Sequence, residues 1–432
     1  MSDSKEKKVA GANTEAAVNS EEAQKKARVA EQREKAIQGV MKKTGWSHEE
    51  AEARMEVTKK WAGVTFTNYN KYDFYNVPEI EQKSKYEKIV LAEEKEAKRK
   101  REKIESYISI VTNATGWDRD YAEEMIKRSK THPHNYAEYG FWELSEEEQK
   151  TFFTKEVSTL LRRKYNKDSN RLKTLHKVAF YKLFREFFGR KCLLTSEMTM
   201  RSFKEEFKDK GKVVYKSDVG TGGKGIKIFE FENDTIDDVY DKICHLPDGI
   251  VEEFIVQHPE IQKLSVNAVN TIRIVTIFTQ EDIPGVEKDK VHFLYAGLRM
   301  ALGKSYVDNF SSGGIIAAVN LETGIIETDG VRSYNEIFVK HPDTGTVIKG
   351  FQIPYFKESK EIVEAMCVAG RGLPSYVGWD IAITENGPIV IEANPSPGTE
   401  VLQLPYAPEK KGMRYIVEKF LAEPENDKKA TD

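Results

Sequence analysis

Cysteine is scarce in this 432-residue chain: Cys192, Cys244 and Cys367 are the only three, and they lie far apart. That excludes a disulfide framework and a cysteine-built structural zinc site, and it points to a reducing, cytoplasmic setting. No apolar run approaches the roughly 18 residues that a membrane span needs, and Met1 to Ala10 offers no apolar core for a secretory signal. Charge of one sign is missing too. The 67 Lys and Arg oppose 70 Asp and Glu, a formal net charge of −3, which argues against a whole-chain nucleic-acid binder or an acidic-tail protein. No aromatic residue precedes Trp46, and Ser2 to Lys35 is mostly Glu, Lys, Ala, Gln and Ser. With no apolar face to bury, residues 1–40 are expected to be a disordered or frayed helical leader, and 422–432 a disordered tail.

From Met41 to about Tyr165 the chain repeats itself. Thr44-Gly45-Trp46 recurs as Thr115-Gly116-Trp117 and Ala51-Glu52 as Ala122-Glu123. Further on, Asn68-Tyr69, Tyr72, Phe74, Tyr75 and Gln82-Lys83 match Asn135-Tyr136, Tyr139, Phe141, Trp142 and Gln149-Lys150. Each unit reads as a helix, an aromatic turn and a second helix, with a capping box at Ser145 to Glu148. Residues 41–165 are therefore expected to be an accessory helical repeat pair. It would be either a plain packing module or a platform for a protein partner or an extended substrate. The basic run Lys95 to Lys103 is interleaved with Glu, which favours a solvated helix face over a nucleic-acid site.

After about Leu172 the texture changes. Val178 to Phe188 is an apolar-periodic helix, and β-branched runs follow at Val213 to Tyr215, Ile226 to Phe229, Val251 to Val256, Ile272 to Phe278, Ile315 to Val319 and Ile389 to Ile391. Strands and helices mixed in this way indicate an α+β domain with largely antiparallel sheets.

Two segments carry chemistry. In the first, Gly220, Gly222 and Gly225 satisfy a G-x-G-x-x-G pattern, but a strand-like run follows where a dinucleotide site needs a helix. Lys224 precedes Gly225, not Ser or Thr, so the Walker pattern fails as well. What remains is a strand–glycine loop–strand hairpin. It could close backbone N–H groups over a polyphosphate with Lys216 reaching in, or it could be an ordinary hairpin. The second segment runs Gly378 to Thr384 and returns over Ile389 to Asn394. Glu392 and Asn394 share a face because they are two apart. Asp380 joins them if it pairs with Asn394, which needs an odd loop; an even two-residue loop puts it on the opposite face. The expectation is a loop of three or five residues, with room for a glycine bulge. Two carboxylates and an amide oxygen then make an all-oxygen set suited to Mg²⁺ held jointly with ATP phosphates.

Taken in order, these motifs resemble the ATP-grasp superfamily. The spacing is closest to the ribosomal-protein glutamate ligase type, and the texture of the domain is most similar to the sugar-transfer-associated ATP-grasp group. The latter likeness rests on Val266-Asn267, Asn270 to Arg273, Val307 to Gly314, His341 to Gly345 and Val377 to Asp380. It covers roughly Leu172 to Tyr406. The resemblance implies an α+β ATP-grasp fold, two subdomains (166–250 and 251–421) clamping ATP behind an all-α N-terminal repeat module.

It also implies roles. Lys216, and more loosely Lys177, would bind phosphate, with Gly222, Gly223, Lys224 and Gly225 as the lid. Glu253, Phe254 and Ile255 would form the hinge strand whose backbone reads adenine, and Glu260 would hold the ribose. Arg273 and Arg299 would face the transferring phosphoryl group. Asn309, Ser311, Ser312, Gly313 and Gly314 would meet substrate, and Asp380, Glu392 and Asn394 would hold Mg²⁺. Two departures stand out: His176 replaces the usual acid before Lys177, and Gly378 stands where an arginine often precedes the metal Asp. The implied activity is an ATP-dependent carboxylate–amine ligase working through an acyl phosphate on a small molecule, or on a cell-surface polysaccharide or peptide precursor. The rivals are an ATP-grasp kinase and an ATP-binding regulatory or scaffold protein.

Overall fold

The computed structural model describes residues 24, 26–166, 176–220, 225–232, 234–265, 268–282, 285–303 and 313–421. The chain forms two compact units, Met1–Lys103 and Ile104–Asp432.

In the first unit, α1 (residues 26–44), α2 (His48–Ala62), α3 (Phe66–Lys71) and the first part of α4 (Glu79–Thr115) surround a core of Ile37, Val40, Met55, Tyr69 and Phe74. Residues 26–40, expected to belong to a disordered or frayed helical leader, form the first part of α1, and residues 1–23 lie outside the described residues. Ala36, Ile37 and Val40 share one helical face and are buried, which gives α1 the apolar contact that its polar beginning lacks. The expected tail at 422–432 lies outside the described residues.

The second unit opens with the end of α4, then α5 (Arg119–Arg128), α6 (Pro133–Glu138), α7 (Glu146–Lys150) and α8 (Lys155–Tyr165). Three local features recur at positions where its sequence matches that of the first unit. Gly45 and Gly116 both take positive φ, 77° and 75°. The N–H groups of Trp46 and Trp117 donate to Thr44 Oγ1 and Thr115 Oγ1 at 3.2 and 3.1 Å. Gln82 Nε2 donates to the Val77 carbonyl at 3.0 Å, and Gln149 Nε2 to the Leu144 carbonyl at 3.1 Å. The capping box at Ser145 and Glu148 is present. A boundary after residue 165 does not separate the compact units, however. Tyr136, Phe141 and Phe152 pack with Val331, Leu404 and Ala407, so the second stretch shares its core with the sheets that follow.

Those sheets are two, both antiparallel. The smaller has the order β1-β4-β2-β3, from β1 (Cys192–Leu194), β2 (Lys212–Ser217), β3 (Ile226–Glu230) and β4 (Gly249–Glu253). A short helix, α9 (Lys177–Phe184), precedes it. Helices α10 (Met200–Phe207) and α11 (Ile236–Cys244) cover one face through Phe203, Phe207, Val239 and Ile243. The larger sheet has the order β11-β10-β5-β6-β7-β8-β9. It is built from β5 (Thr271–Thr279), β6 (Lys290–Met300), β7 (Ile315–Val319), β8 (Gly330–Ser333), β9 (Glu336–Phe338), β10 (Tyr376–Thr384) and β11 (Gly387–Asn394).

Alternation along these strands divides the larger sheet's residues between two cores. Ile272, Ile274, Trp379 and Ile381 pack with Val363 and Met366 of the helix Phe356–Ala369. Val275, Ile277, Tyr295 and Tyr376 pack with Phe153 and with Val157 and Leu161 of α8. Gly378 and Asp380 follow Tyr376 at steps of two, so they stand on the face that α8 covers. Among the described residues no helix is long and apolar enough to cross a membrane.

Candidate active site

The carboxylate hairpin reaches the anticipated face by a different route. Thr384 pairs with Gly387, leaving a two-residue loop of Glu385 and Asn386, and Gly378, not Asp380, pairs with Asn394. The expected three- or five-residue loop is therefore absent. An even loop alone would turn Asp380 away. A β-bulge restores the phase: Ile381 pairs with Val390 and Asp380 with Glu392, so Ile391 is the extra residue. Asp380, Glu392 and Asn394 end on one face, and Asn394 Nδ2 donates to Glu392 Oε1 at 3.4 Å.

Asp380 is 1% exposed and held by two guanidinium groups. Arg273 approaches it in bidentate fashion, with Nη2 at 2.9 Å from Oδ2 and Nε on Oδ1, and Arg299 Nη2 stands 2.8 Å from Oδ2. Strand register explains the pairing, since Asp380 is opposite Arg273 on β5 and Arg299 is opposite Thr271 one step along. Burial pushes the Asp380 carboxyl up, but the charges of Arg273 and Arg299 outweigh it and bring the pKa down to about 2. Burial works against the charged form of Arg273 too, and Asp380 reverses that and raises its pKa. Gly378 gives Arg273 its room, and the guanidinium that Gly378 lacks is supplied from the neighbouring strand. Glu392 behaves oppositely. Solvent reaches it, yet the protein around it and the charge of Asp380 raise its pKa. A carboxylate pair strained in this way is relieved by a cation. No cluster of three His, Cys, Asp or Glu among the described residues could hold a metal alone. Glu392 and Asn394 offer oxygens on the face that Asp380 shares, and a hard ion there would need phosphate oxygens to complete its shell.

On the smaller sheet, Lys216 reaches Glu252, whose other oxygen takes Arg190 Nη2 at 2.6 Å and Nε at 2.9 Å. Glu252 is 1% exposed. Burial raises its pKa, but Arg190 and Lys216 outweigh burial and lower it. Arg190 also donates to the Val390 carbonyl at 2.7 Å, so this ion-pair chain connects the small sheet to β11. Lys177 opens α9 and donates from Nζ to the Gly220 carbonyl at 3.0 Å. Burial lowers its pKa, opposed chiefly by the charge of Glu392, so Lys177 lies within electrostatic reach of the carboxylate hairpin. The acid missing before Lys177 comes from elsewhere. Asp218 accepts from the Val178 N–H and from His176 Nδ1, both at 2.9 Å.

The glycine segment joins two paired strands, with Lys216 opposite Ile226 and Gly225 at φ 84°. Gly222, Gly223 and Lys224 lie outside the described residues, as do Asn309, Ser311 and Ser312. Gly313, with φ 90°, and buried Gly314 lead into β7. Glu253 points away from the crevice and pairs with Lys210 on the helix-covered side. Phe254 and Ile255 continue from β4 toward His258, whose N–H donates to the Ile383 carbonyl at 2.8 Å. Glu260 is exposed beside Lys263. Sequence reasoning missed Arg190 and Asp218, and it placed Glu252 in the hinge segment Glu252 to Val256 without a charge role. Only Glu252 left a signal, a charge two positions from Ile250 in a strand otherwise buried.

A profile of the family described as sugar-transfer associated ATP-grasp matches residues 158–418. No curated protein matches the chain. Among solved structures, one similar to it is the D-alanyl-alanine synthetase A of Vibrio cholerae, 14% identical over 56% of this chain and 62% of that one, with a TM-score of 0.34. Another is the ATP-grasp ligase PsnB complexed with a phosphomimetic variant of its minimal precursor, Mg and ADP, 14% identical over 59% and 62%, TM-score 0.34. A third is the N5-carboxyaminoimidazole synthetase of Staphylococcus aureus complexed with ADP, 11% identical over 58% and 53%, TM-score 0.35. The chain spans less than two thirds of the length of each.

Proposed function

The chain belongs to the sugar-transfer-associated ATP-grasp family, and from that premise we propose that it is an ATP-dependent ligase, joining a carboxylate to an amine or related nucleophile through an acyl phosphate. The observation that carries this reading is the convergence of two charge sets from the two sheets: the charge of Glu392 acts on Lys177, and Arg190 ties Glu252, the partner of Lys216, to β11. Lys177 and Lys216 come from the small-sheet side, and Asp380, Glu392, Arg273 and Arg299 from the large sheet. Such a division suits a substrate that is anionic toward one wall and metal-bound at the other.

Lys216 and Lys177 bind phosphate oxygens and neutralise them. Asp380, Glu392 and Asn394 would hold Mg²⁺, which when bound screens the phosphate charge and orients the oxygens. Arg273 and Arg299, held by Asp380, bring their positive charge to the carboxylate that receives the phosphoryl group. The carboxylate oxygen forms the new bond to phosphorus as ADP departs. The nucleophile then attacks the acyl carbon, phosphate leaves, and the nucleophile gives up a proton. Positioning and charge, not covalent participation of the protein, do the catalysis. The family's association with sugar transfer supports a uronic acid, a polysaccharide precursor or a peptide as substrate, in a cytoplasmic setting.

An ADP-release screen over amino acids, uronic acids and short peptides tests the proposal, with Asp380→Asn as the blank and hydroxylamine present to trap acyl phosphate. Hydroxamate formation with one carboxylate is the expected result. ADP release with a hydroxyl acceptor and no hydroxamate would instead mark a kinase. Nucleotide binding without ADP release from any acceptor would leave a regulatory protein.

A further inference from the structure

The segment that follows Asn394 contains Pro395 and Pro397 and so lacks two backbone donors. It cannot continue the β11 ladder, and residues from before position 167 hold it in its place. Asn166 Nδ2 donates to the carbonyls of Pro395 and Tyr376, each at 2.7 Å, while the Tyr376 N–H donates back to Asn166 Oδ1 at 2.9 Å. Tyr139 Oη donates to Thr399 Oγ1 at 2.8 Å, both side chains being buried. His134 Nε2 donates to Glu400 Oε1 at 2.9 Å. His134 itself stands between Glu400 and Glu138, whose Oε1 is 4.0 Å from Nδ1, with the Tyr107 ring centroid 5.4 Å away.

The held segment borders the reacting end of the site. Pro397 and Arg273 press on the same spot, since a Cβ on Gly378 would stand 3.0 Å from Pro397 Cβ and 2.8 Å from Arg273 Cδ. Burial raises the Glu400 pKa, but His134 and the more distant charge of Arg273 prevail and lower it, so Glu400 sits within the electrostatic reach of Arg273. His134 and Tyr139 both precede residue 158, where the match to the family begins. In the first unit the position matching His134 is Thr67, and Tyr72, which matches Tyr139, bonds to Glu93. The contacts that hold the loop therefore come from the second stretch.

We propose that His134 and Tyr139 are positioning residues that, through Glu400 and Thr399, set the loop 395–400 against Arg273 and so shape the acceptor side of the site. The helical stretch is then a part of the catalytic body and not an appendage. The proposal rests on the assignment of the site above, and its test is arranged so that the two can fail separately.

Full-length protein carrying His134→Ala, His134→Gln or Tyr139→Phe is compared with wild type by amide hydrogen exchange without ligands. The second readouts are titration with Mg²⁺ and a non-hydrolysable ATP analogue, and the ADP-release assay. Exchange in peptides covering 398–404 should quicken at least tenfold in His134→Ala, while β5 and β10 peptides keep their protection. Analogue affinity should stay within twofold, turnover should fall at least tenfold, and His134→Gln, which retains an amide donor near the Nε2 position, should recover most of both effects. Unchanged loop exchange in both His134→Ala and Tyr139→Phe overturns the proposal. So does loosening that spreads equally to β5 and β10, or a loss of analogue affinity that matches the loss of turnover. If wild type releases no ADP from any acceptor, the ligase reading falls, and loop exchange still decides whether the two side chains hold the loop.

Discussion

Arg273 lies in the space that Gly378 leaves open: a Cβ at 378 would come within 2.8 Å of Arg273 Cδ, closer than packed carbons tolerate. The missing side chain and the guanidinium on the adjacent strand are one device, because only a glycine lets Arg273 lie flat and meet Asp380 with two parallel bonds. Gly378→Ala should therefore displace Arg273 more than it unfolds the sheet. The expected outcome is a loss of turnover of at least tenfold with a change in melting temperature of a few degrees. Turnover near wild type in Gly378→Ala would show that the bidentate geometry is dispensable.

Removing the guanidinium altogether is the harsher test. Arg273→Ala leaves Asp380, which is 1% exposed, with Arg299 as the cation bonded to it. Breaking one partner from a buried ion pair costs about 3–5 kcal/mol, and the retained Arg299 should keep the loss at the low end of that range. Chemical denaturation measures it. Turnover should drop by orders of magnitude while ATP still binds through Lys216 and Lys177, and an ATP-binding titration separates the two effects. Near-normal turnover would remove Arg273 from its assigned role.

Acid should expose the same cluster. The folded pKa of Asp380, about 2, lies below its ordinary value of 3.8, so the folded state binds this proton less readily than the unfolded chain. Its stabilising contribution, on the order of 2 kcal/mol, is present above about pH 4 and disappears as the pH falls through the folded pKa. Denaturant midpoints measured between pH 4.5 and 2 should thus decline less steeply in Asp380→Asn than in wild type. Parallel declines would mean that the two arginines do not depress this carboxyl. Glu392 shifts the other way. A proton there competes with a cation, so Mg²⁺ affinity should weaken as the solution is acidified through its raised pKa.

Much of this architecture was legible in the residues, and where it was not the reason is physical. The strand–glycine loop–strand arrangement followed from β-branched runs on both sides of Gly220 to Gly225, and the structure pairs Lys216 with Ile226 accordingly. The shared face of Asp380 and Glu392 was anticipated through an odd loop, but a bulge at Ile391 produces it. Period-two reasoning counts residues, and a bulge adds one without a mark in the sequence. The crevice residue on β4 was harder still. Glu252 and Glu253 are adjacent and chemically identical, and only the pairing of Lys216 with Ile250 shows that Glu252 takes the crevice face. Contacts such as His134 with Glu400 join residues far apart in the chain, so no local pattern could announce them.

The pairing of Lys216 with Glu252 makes a last prediction possible, because Glu252 has a second cation. Lys216→Met removes the phosphate-binding ammonium yet leaves Glu252 bonded to Arg190 by two nitrogens, so no buried carboxylate is stranded. Stability should fall by about 1.5–3 kcal/mol, the worth of a hydrogen bond to a charged group, while affinity for Mg²⁺–ATP falls at least tenfold. Arg190→Met should do the reverse. It strips Glu252 of its bidentate partner and frees the Val390 carbonyl in a buried setting, costing about 3–5 kcal/mol, and whatever protein stays folded still carries Lys216. Melting curves and nucleotide titrations on the two variants therefore diverge in opposite directions. If Lys216→Met instead unfolds the protein as severely as Arg190→Met, Lys216 is a structural counter-ion, and the phosphate-binding role assigned to it is lost.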